Sequence, residues 1–421
     1  MIYLLLIISL FTSSCSFFMN DDPLLPYQEQ TSAGLPVFYL DPKPVSKDFY
    51  TPCSVIYKGT RYEAEGKIRG GFSAYFPKKS YTLRFSDTHL FSDPDMGDEG
   101  FTQRKKVFLL ADFDDNSHLR NRLAQRLWQL LQDDGTGTYH SPVIQTSSAV
   151  VYTNGSYEGL YTVVDPVDET MIDRYAAASP PNLVKPMIPG GDMFKGNTRD
   201  ANFYLHSEVY KGFDKVMGTP GVGIEGAFTP LEEFILFLNH ASDSEFADPI
   251  TGFHSRANVD SYYGWWFYTS FMAAADSVNK NAFHYKEPGG LWYYFPWDFN
   301  ASFGQRYNTK RIGAYFQSGT SDNKVFQRLV YHPSYAPAQH AQYRALLEPG
   351  GAWELPALLE EVDSLWAEVR EAALEDWDKW EDKHKSYSAW KDRSDFTTPE
   401  EEVEYIKAWI GEMHGRALGR F

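Results

Sequence analysis

The hydrophobic pattern changes from strand-like to helical along the chain, and this order limits the folds open to it. Residues 80–85 (Ser-Tyr-Thr-Leu-Arg-Phe) alternate between apolar and polar side chains, which is typical of a half-buried strand. Asn154-Gly155 separates two further apolar runs, and this dipeptide predicts a two-residue hairpin loop. The other strand-like runs cover residues 37–40, 54–57, 61–69 and 107–111.

The later part of the chain is predicted to be helical. The segments that begin at Thr229 and Thr398 both have the spacing of a capping box with proline in the first turn. Residues 355–380 have a strongly charged helical pattern, and residues 265–275 form an apolar run typical of a buried helix. Because the strands precede the helices and do not alternate with them, the sequence predicts an α+β fold.

Composition excludes several classes of protein. The formal net charge is −17, from 39 Lys and Arg against 56 Asp and Glu, so no nucleic-acid partner is expected. With 43% hydrophobic and 16% aromatic residues the chain is too apolar to be disordered. Two cysteines are too few for a disulfide scaffold, and the 11 histidines include no zinc-binding spacing.

The N-terminus predicts export. Residues 1–10 are apolar, which is too short to span a bilayer but suits a signal peptide. The run leads to Cys15 through small polar residues and resembles a bacterial lipoprotein signal, which is cut before a cysteine that then carries lipid. We therefore expect a signal peptide at 1–15, a tether at 16–34, a domain at 35–421 and a lipid anchor to the cell-envelope membrane at Cys15. The alternative is plain secretion.

The glycine pair in residues 67–81 suggests an anion site. Gly70-Gly71 follows a predicted strand, so backbone N–H groups can approach a phosphate there. Lys78 or Lys79 on the returning strand would add a positive charge. Residues 61–85 form a basic region in this acidic chain, with six Lys or Arg against two Glu. An anionic ligand is expected to be attracted to this region.

Two later segments carry acidic and amide side chains. Asp276 and Asn281 lie five residues apart, which is the spacing of a phosphotransferase catalytic loop, although an ordinary turn has the same composition. Asp298 follows an apolar strand, where its carboxylate could hold a hard cation. Asp298-Phe299-Asn300 is similar to the kinase Asp-Phe-Gly motif but lacks the glycine.

Together these segments resemble the CotH family of spore-coat kinases. Two more segments contribute to the resemblance: residues 108–121 (Phe-Leu-Leu-Ala-Asp-Phe-Asp-Asp-Asn-Ser-His-Leu-Arg-Asn) and residues 154–161 (Asn-Gly-Ser-Tyr-Glu-Gly-Leu-Tyr). The resemblance runs from about residue 35 to 304 and is looser beyond. It implies an atypical protein-kinase-like fold that uses ATP and Mg²⁺ or Mn²⁺ to phosphorylate Ser or Thr of exported proteins, of unknown identity.

The resemblance also implies roles for particular residues. They are Asp276 as catalytic base; Asp298, Asn281 and Asn300 as metal ligands; Lys78 (or Lys79), Arg69 and Gly70 as phosphate contacts; and Arg120 and Asn121 as residues that order the neighbouring helix. Strand alternation favours Lys78 over Lys79, because Lys78 shares the polar face and would point towards a wet cleft.

Two other functions are compatible with the sequence. A non-catalytic coat-like or adhesin-like surface protein could use the same fold. A carbohydrate-binding envelope protein could use the aromatic side chains of residues 262–271, if they are exposed.

Overall fold

The computed structural model describes residues 29–31, 33–98, 100–132, 143–178, 187–390 and 396–421. The signal peptide, Cys15 and most of the tether lie outside these residues. Nine strands of the described chain lie between residues 37 and 164, namely β1 (Val37–Asp41), β2 (Thr51–Tyr57), β3 (Thr60–Arg69), β4 (Ser80–Phe85), β5 (Phe91–Asp93), β6 (Phe101–Arg104), β7 (Lys106–Leu110), β8 (Thr146–Thr153) and β9 (Ser156–Val164). One described α-helix lies between β7 and β8.

Seven of these strands close into a barrel, in the order β1-β2-β3-β4-β7-β9-β8. All pairs are antiparallel except that β8 returns to β1 in parallel. The predicted alternation in β4 is confirmed: Tyr81, Leu83 and Phe85 join one buried cluster of barrel side chains. Ser80 and Thr82 on the opposite face are buried as well, at 8% and 5% exposed. The polar face of β4 is therefore covered by protein.

The predicted hairpin is confirmed at the β8–β9 connection. Asn154 and Gly155 both have positive φ, at 50° and 74°, as a type I′ turn requires. The turn pairs Thr153 with Ser156 and sets the register at this end of the hairpin, while an irregularity between Val151 and Tyr152 shifts the register of the remaining pairs.

A second sheet and the helices complete the fold. The sheet has the order β11-β10-β12-β13. Its strands are β10 (Asp192–Gly196), β11 (Phe213–Met217), β12 (Ala282–Lys286) and β13 (Trp292–Pro296). The helices are α1 (Arg120–Gln132), α2 (Glu169–Ala178), α3 (Thr229–His240), α4 (Asp243–Phe246), α5 (Val259–Phe271), α6 (Lys324–Leu329), α7 (Ala336–Leu347), α8 (Leu355–Lys385) and α9 (Pro399–Leu418). The α+β class is confirmed. Of this second sheet only β13, the strand before Asp298, was predicted.

The helix ends agree only in part with the sequence. Thr398 caps α9 through a capping box with Glu401, as predicted. The capping box predicted at Thr229 is wrong, because Phe228 is the N-cap of α3 and no side chain caps it. Every residue of α5 from Ser261 to Phe271 is buried, so these aromatic side chains form core and are not a sugar-stacking surface. None of the described helices has the length and apolar composition needed to cross a membrane.

Gly159 in β9 is a position where a side chain does not fit. Its φ is +139°, and an added Cβ would collide with the carboxylate of Asp376 in α8. That carboxylate cannot easily move, because it accepts hydrogen bonds from Lys78 Nζ at 2.6 Å and from the backbone N–H of Leu160 at 2.8 Å. Gly159 therefore permits the close contact between the barrel and α8.

Gly159→Ala should lower the free energy of unfolding by about 3 kcal/mol, since it combines an unfavourable φ with overpacking. Gly411→Ala in α9 is the control. An added Cβ meets nothing within 4 Å there, and alanine favours helix, so stability should be unchanged or slightly higher. Urea unfolding followed by tryptophan fluorescence measures both, and equal midpoints for the two variants would contradict the expected close contact.

Candidate active site

A cavity of about 370 Å³, hereafter the cleft, lies between the barrel and the second sheet. Seven of the residues singled out from the sequence line it: Arg69, Gly70, Asn121, Asp276, Asn281, Asp298 and Asn300. Lys78, Lys79 and Arg120 do not line it. The structure thus brings together side chains that are more than 200 positions apart in the chain.

Strand pairing explains how Asn281 and Asp298 come together. Ala282 of β12 pairs with Pro296 of β13, so the residues just beyond these strand ends lie side by side. Both Asn281 and Asp298 have left-handed backbones, with φ of 56° and 61°. Asn and Asp tolerate this conformation better than most residues, and such local strain is concentrated at functional sites.

The acidic side of the cleft is balanced by nearby cations. Asp276 lies in a 3-10 turn (Ala275–Val278) and forms an ion pair with Lys280 at 2.9 Å. Asp298 lines the cleft and is exposed there. Desolvation raises the pKa of Asp298, although the positive fields of Lys195 and Arg69 oppose this shift.

Arg69 is an arginine in the cleft for which the described residues supply no hydrogen-bond acceptor. Its guanidinium lies 3.7 Å from the centroid of the Phe108 ring and 5.4 Å from that of a Trp297 ring. Its Nη1 is buried and has no hydrogen-bond partner among the described residues. Burial lowers the pKa of Arg69 to about 10, so the group stays protonated at neutral pH. A cation held in this way is available to an anionic ligand.

Lys195 was missed from the sequence. It lies in β10, lines the cleft, and has its Nζ 5.5 Å from the centroid of the Phe283 ring. Burial lowers the pKa of Lys195, while the charge of Asp298 opposes the shift. The signal that could have found it is a lysine in an otherwise apolar run, directly after Met193 and Phe194.

Asn121 and Asn300 belong to a hydrogen-bonded network on one wall of the cleft. Asn121 Nδ2 donates to Asp112 at 2.8 Å and also to Asn300 Oδ1, and Asn300 Nδ2 donates to Asp114 at 2.7 Å. Asp112 and Asp114 were not predicted as site residues. Desolvation raises the pKa of Asp114 to about 7. The amide of Asn300 is thus bonded at both its oxygen and its nitrogen, which leaves it less available than Asn281 as a ligand.

The expectation that Lys78 faces a wet cleft is wrong. Its side chain is 0% exposed, because α8 covers this end of β4. Its Nζ donates to Asp376 Oδ1 and to the carbonyl of Leu160, both at 2.6 Å. Lys79 Nζ donates to the carbonyls of Ala74 at 3.1 Å and Phe76 at 2.5 Å, beside the glycine turn.

Arg120 lies behind the cleft at the start of α1 and is fully buried. It donates to Asp115 and Glu402 at 2.6 Å each, and to the carbonyl of Ser302 at 3.0 Å. These bonds join three segments that are distant in sequence: the loop before α1, the loop after β13, and helix α9.

The cleft offers oxygen donors for a metal. Among the described residues, no three His, Cys, Asp or Glu side chains form a metal-binding group. Asp298 and Asn281 nevertheless present one carboxylate and one amide oxygen in a single cleft. Mg²⁺ is commonly held by one or two protein oxygens together with substrate phosphates, so this donor set fits a metal that arrives with a nucleotide.

Comparison with known proteins decides the family. The family model described as CotH kinase protein matches residues 67–414, which is most of the chain. The chain belongs to the CotH kinase family. It is also similar to the inner spore coat protein H of Bacillus subtilis (strain 168), with 25% identity over 337 residues, covering 76% of this chain and 82% of that protein. The CotH match spans both walls of the cleft.

Proposed function

We propose that this CotH-family protein transfers the γ-phosphoryl group of ATP to Ser or Thr hydroxyls of exported proteins, with a divalent metal. The main support is one cleft that holds the Asn281–Asp298 pair, Asp276 and an arginine to which the described part of the chain offers no acceptor. Phosphoryl transfer needs little covalent chemistry from the protein; it needs cations and oxygen ligands in fixed positions. The description of the family as kinases agrees with this proposal.

The proposal assigns a role to each of several residues that line the cleft. Arg69 binds the phosphates, and its stacking on aromatic rings fixes the plane of the guanidinium. Gly70 has φ of +109° and lets the backbone of the turn approach the phosphates closely. Asp276 accepts the proton of the incoming hydroxyl, with its carboxylate held in place by Lys280.

Asp298 and Asn281 would hold Mg²⁺ or Mn²⁺, with nucleotide phosphates completing the coordination. When bound, the metal neutralises charge that develops on the phosphates. Asn300 stays a candidate ligand, but its bonds to Asn121 and Asp114 favour a supporting role.

The purified protein should incorporate label from [γ-³²P]ATP on Ser or Thr when Mg²⁺ or Mn²⁺ is present, and EDTA should abolish it. Asp276→Asn should reduce the rate by about 10²-fold or more, because it removes the proton acceptor. Asp243→Asn in α4, whose side chain is 90% exposed, is the control and should behave as wild type. Labelling that is absent from the wild type, or equal in Asp276→Asn, would refute the proposal.

The alternative is a structural, coat-like role, which is supported by the name of the Bacillus subtilis relative. It predicts that Asp276→Asn leaves the cellular phenotype intact while surface changes destroy it. The same name supports a surface location for this chain. Export through residues 1–15 and lipid attachment at Cys15 remain predictions.

A further inference from the structure

We propose that Lys195, and not Lys78 or Lys79, is the lysine that contacts the nucleotide phosphates, opposite Arg69 in the cleft. This inference rests on the proposed function, because it names the phosphate-binding lysine of that same site. It reassigns to Lys195 the phosphate contact that the resemblance to the CotH family implies for Lys78 or Lys79.

Lys78 cannot reach the cleft without breaking an internal ion pair. Its ammonium is 0% exposed and is bonded to Asp376 and Leu160, as described above. Asp376 also bonds His118 Nε2 at 3.1 Å. If Lys78 moved to a phosphate, Asp376 would lose its main counter-charge while remaining buried, which is strongly unfavourable. Lys78 therefore joins β4 and β9 to α8 and supports the site only indirectly.

The ammonium group of Lys79 is also hydrogen-bonded within the protein. Its Nζ is bonded to the carbonyls of Ala74 and Phe76, which belong to the turn that follows Gly70-Gly71. Its contribution is to hold the shape of that turn, so its ammonium is not free for a ligand.

Lys195 has the properties that the other two lack. It lines the cleft, and among the described residues no hydrogen bond or ion pair holds its ammonium. It lies in β10, which is flanked by β11 and β12, so its backbone is fixed by strands on both sides. A rigid strand places a phosphate-binding charge more accurately than a loop does.

The charges of the cleft also support a phosphate contact at Lys195. The charge of Arg69 lowers the pKa of Lys195, and both cations lie in the field of Asp298. Two cations confined together repel each other unless an anion lies between them. The buried Nη1 of Arg69 independently lacks an acceptor among the described residues. A di- or triphosphate would supply acceptors to both groups at once.

Binding of a fluorescent ATP analogue to the purified full chain, with and without Mg²⁺, tests this inference. Lys195→Met should weaken binding about 10- to 100-fold, the loss expected for one charge-assisted contact, without lowering the melting temperature. Lys195→Arg should recover part of the affinity. Lys286→Met in β12, which does not line the cleft, is the control and should bind as wild type.

Lys78→Met should instead lower the melting temperature, and the fraction that remains folded should bind ATP with nearly wild-type affinity. If Lys195→Met binds like wild type, or folded Lys78→Met loses binding, the assignment of Lys195 is wrong while the proposed function stands. If the wild type binds no ATP, both this inference and the proposed function are overturned.

Discussion

Asp298→Asn should reduce metal-dependent phosphoryl transfer by about 10³-fold or more and leave the fold intact. Asp298 is the only charged ligand that we propose for the metal, and a metal contributes several kcal/mol to stabilising the developing charge. A loss of about 4 kcal/mol corresponds to about 10³-fold in rate. The asparagine keeps the shape of the side chain and tolerates its left-handed backbone (φ 61°).

The Asp298→Asn variant should be no less stable against unfolding than the wild type, and the direction of the pKa shift of Asp298 gives the reason. Desolvation raises the pKa of Asp298 in the folded protein, so folding disfavours its charged form. Stability therefore falls as pH rises from the ordinary pKa of an aspartate towards the raised pKa of Asp298 in the folded protein, and the neutral amide should unfold at the same or a higher temperature. Initial rates and thermal melts at pH 7 are compared with those of Asp243→Asn. A rate within tenfold of wild type would show that Asp298 is not the principal ligand.

Local sequence signals were sufficient for the strands of the barrel and for part of the site. Alternation identified β4, and the Asn154-Gly155 dipeptide identified the β8–β9 turn, because both depend on neighbouring residues alone. The positions of Asp276, Asn281 and Asp298 in one cleft could be expected because a hairpin-like pair of strands connects them.

The prediction that Lys78 faces the cleft is wrong because the burial of Lys78 depends on a distant contact. Lys78 and Asp376 are 298 positions apart, and nothing near Lys78 indicates that α8 will cover the polar face of β4. The helix was predicted as charged, but its periodicity does not identify Asp376 as a carboxylate that contacts the barrel. Lys195 was missed for a related reason: β10 was not predicted as a strand, so its direction towards the cleft could not be inferred.

Arg120→Met should lower the free energy of unfolding by about 3–5 kcal/mol, although Arg120 does not line the cleft. Burial alone would lower the pKa of Arg120, but the fields of Asp115 and Glu402 raise it, so the guanidinium is charged and paired. Methionine fills a similar space but leaves both carboxylates without this partner. Glu402 keeps Arg311 at 2.9 Å, so Asp115 should account for much of the loss.

Arg126→Met is a matched control, since Arg126 lies on the same helix and also has two carboxylate partners. It bonds Asp98 at 2.6 Å and Glu361 at 3.2 Å, but its side chain is 34% exposed. Exposed ion pairs contribute about 1 kcal/mol or less, so this variant should unfold almost as wild type does. Urea denaturation midpoints distinguish the two variants directly.

The Arg120 network should also affect phosphoryl transfer, because it joins the two walls of the cleft. Asp115 directly follows Asp114, and Ser302 follows Ala301; both Asp114 and Ala301 line the cleft. Folded Arg120→Met, assayed well below its melting temperature, should therefore have a lower rate than Arg126→Met. Removing the Arg120–Asp115 charge pair with Arg120→Met and Asp115→Asn should restore part of the stability, since Asp115 no longer leaves an unpaired buried charge and Glu402 keeps Arg311. If Arg120→Met and Arg126→Met were equally stable, Arg120 would not be needed to stabilise the buried carboxylates of Asp115 and Glu402.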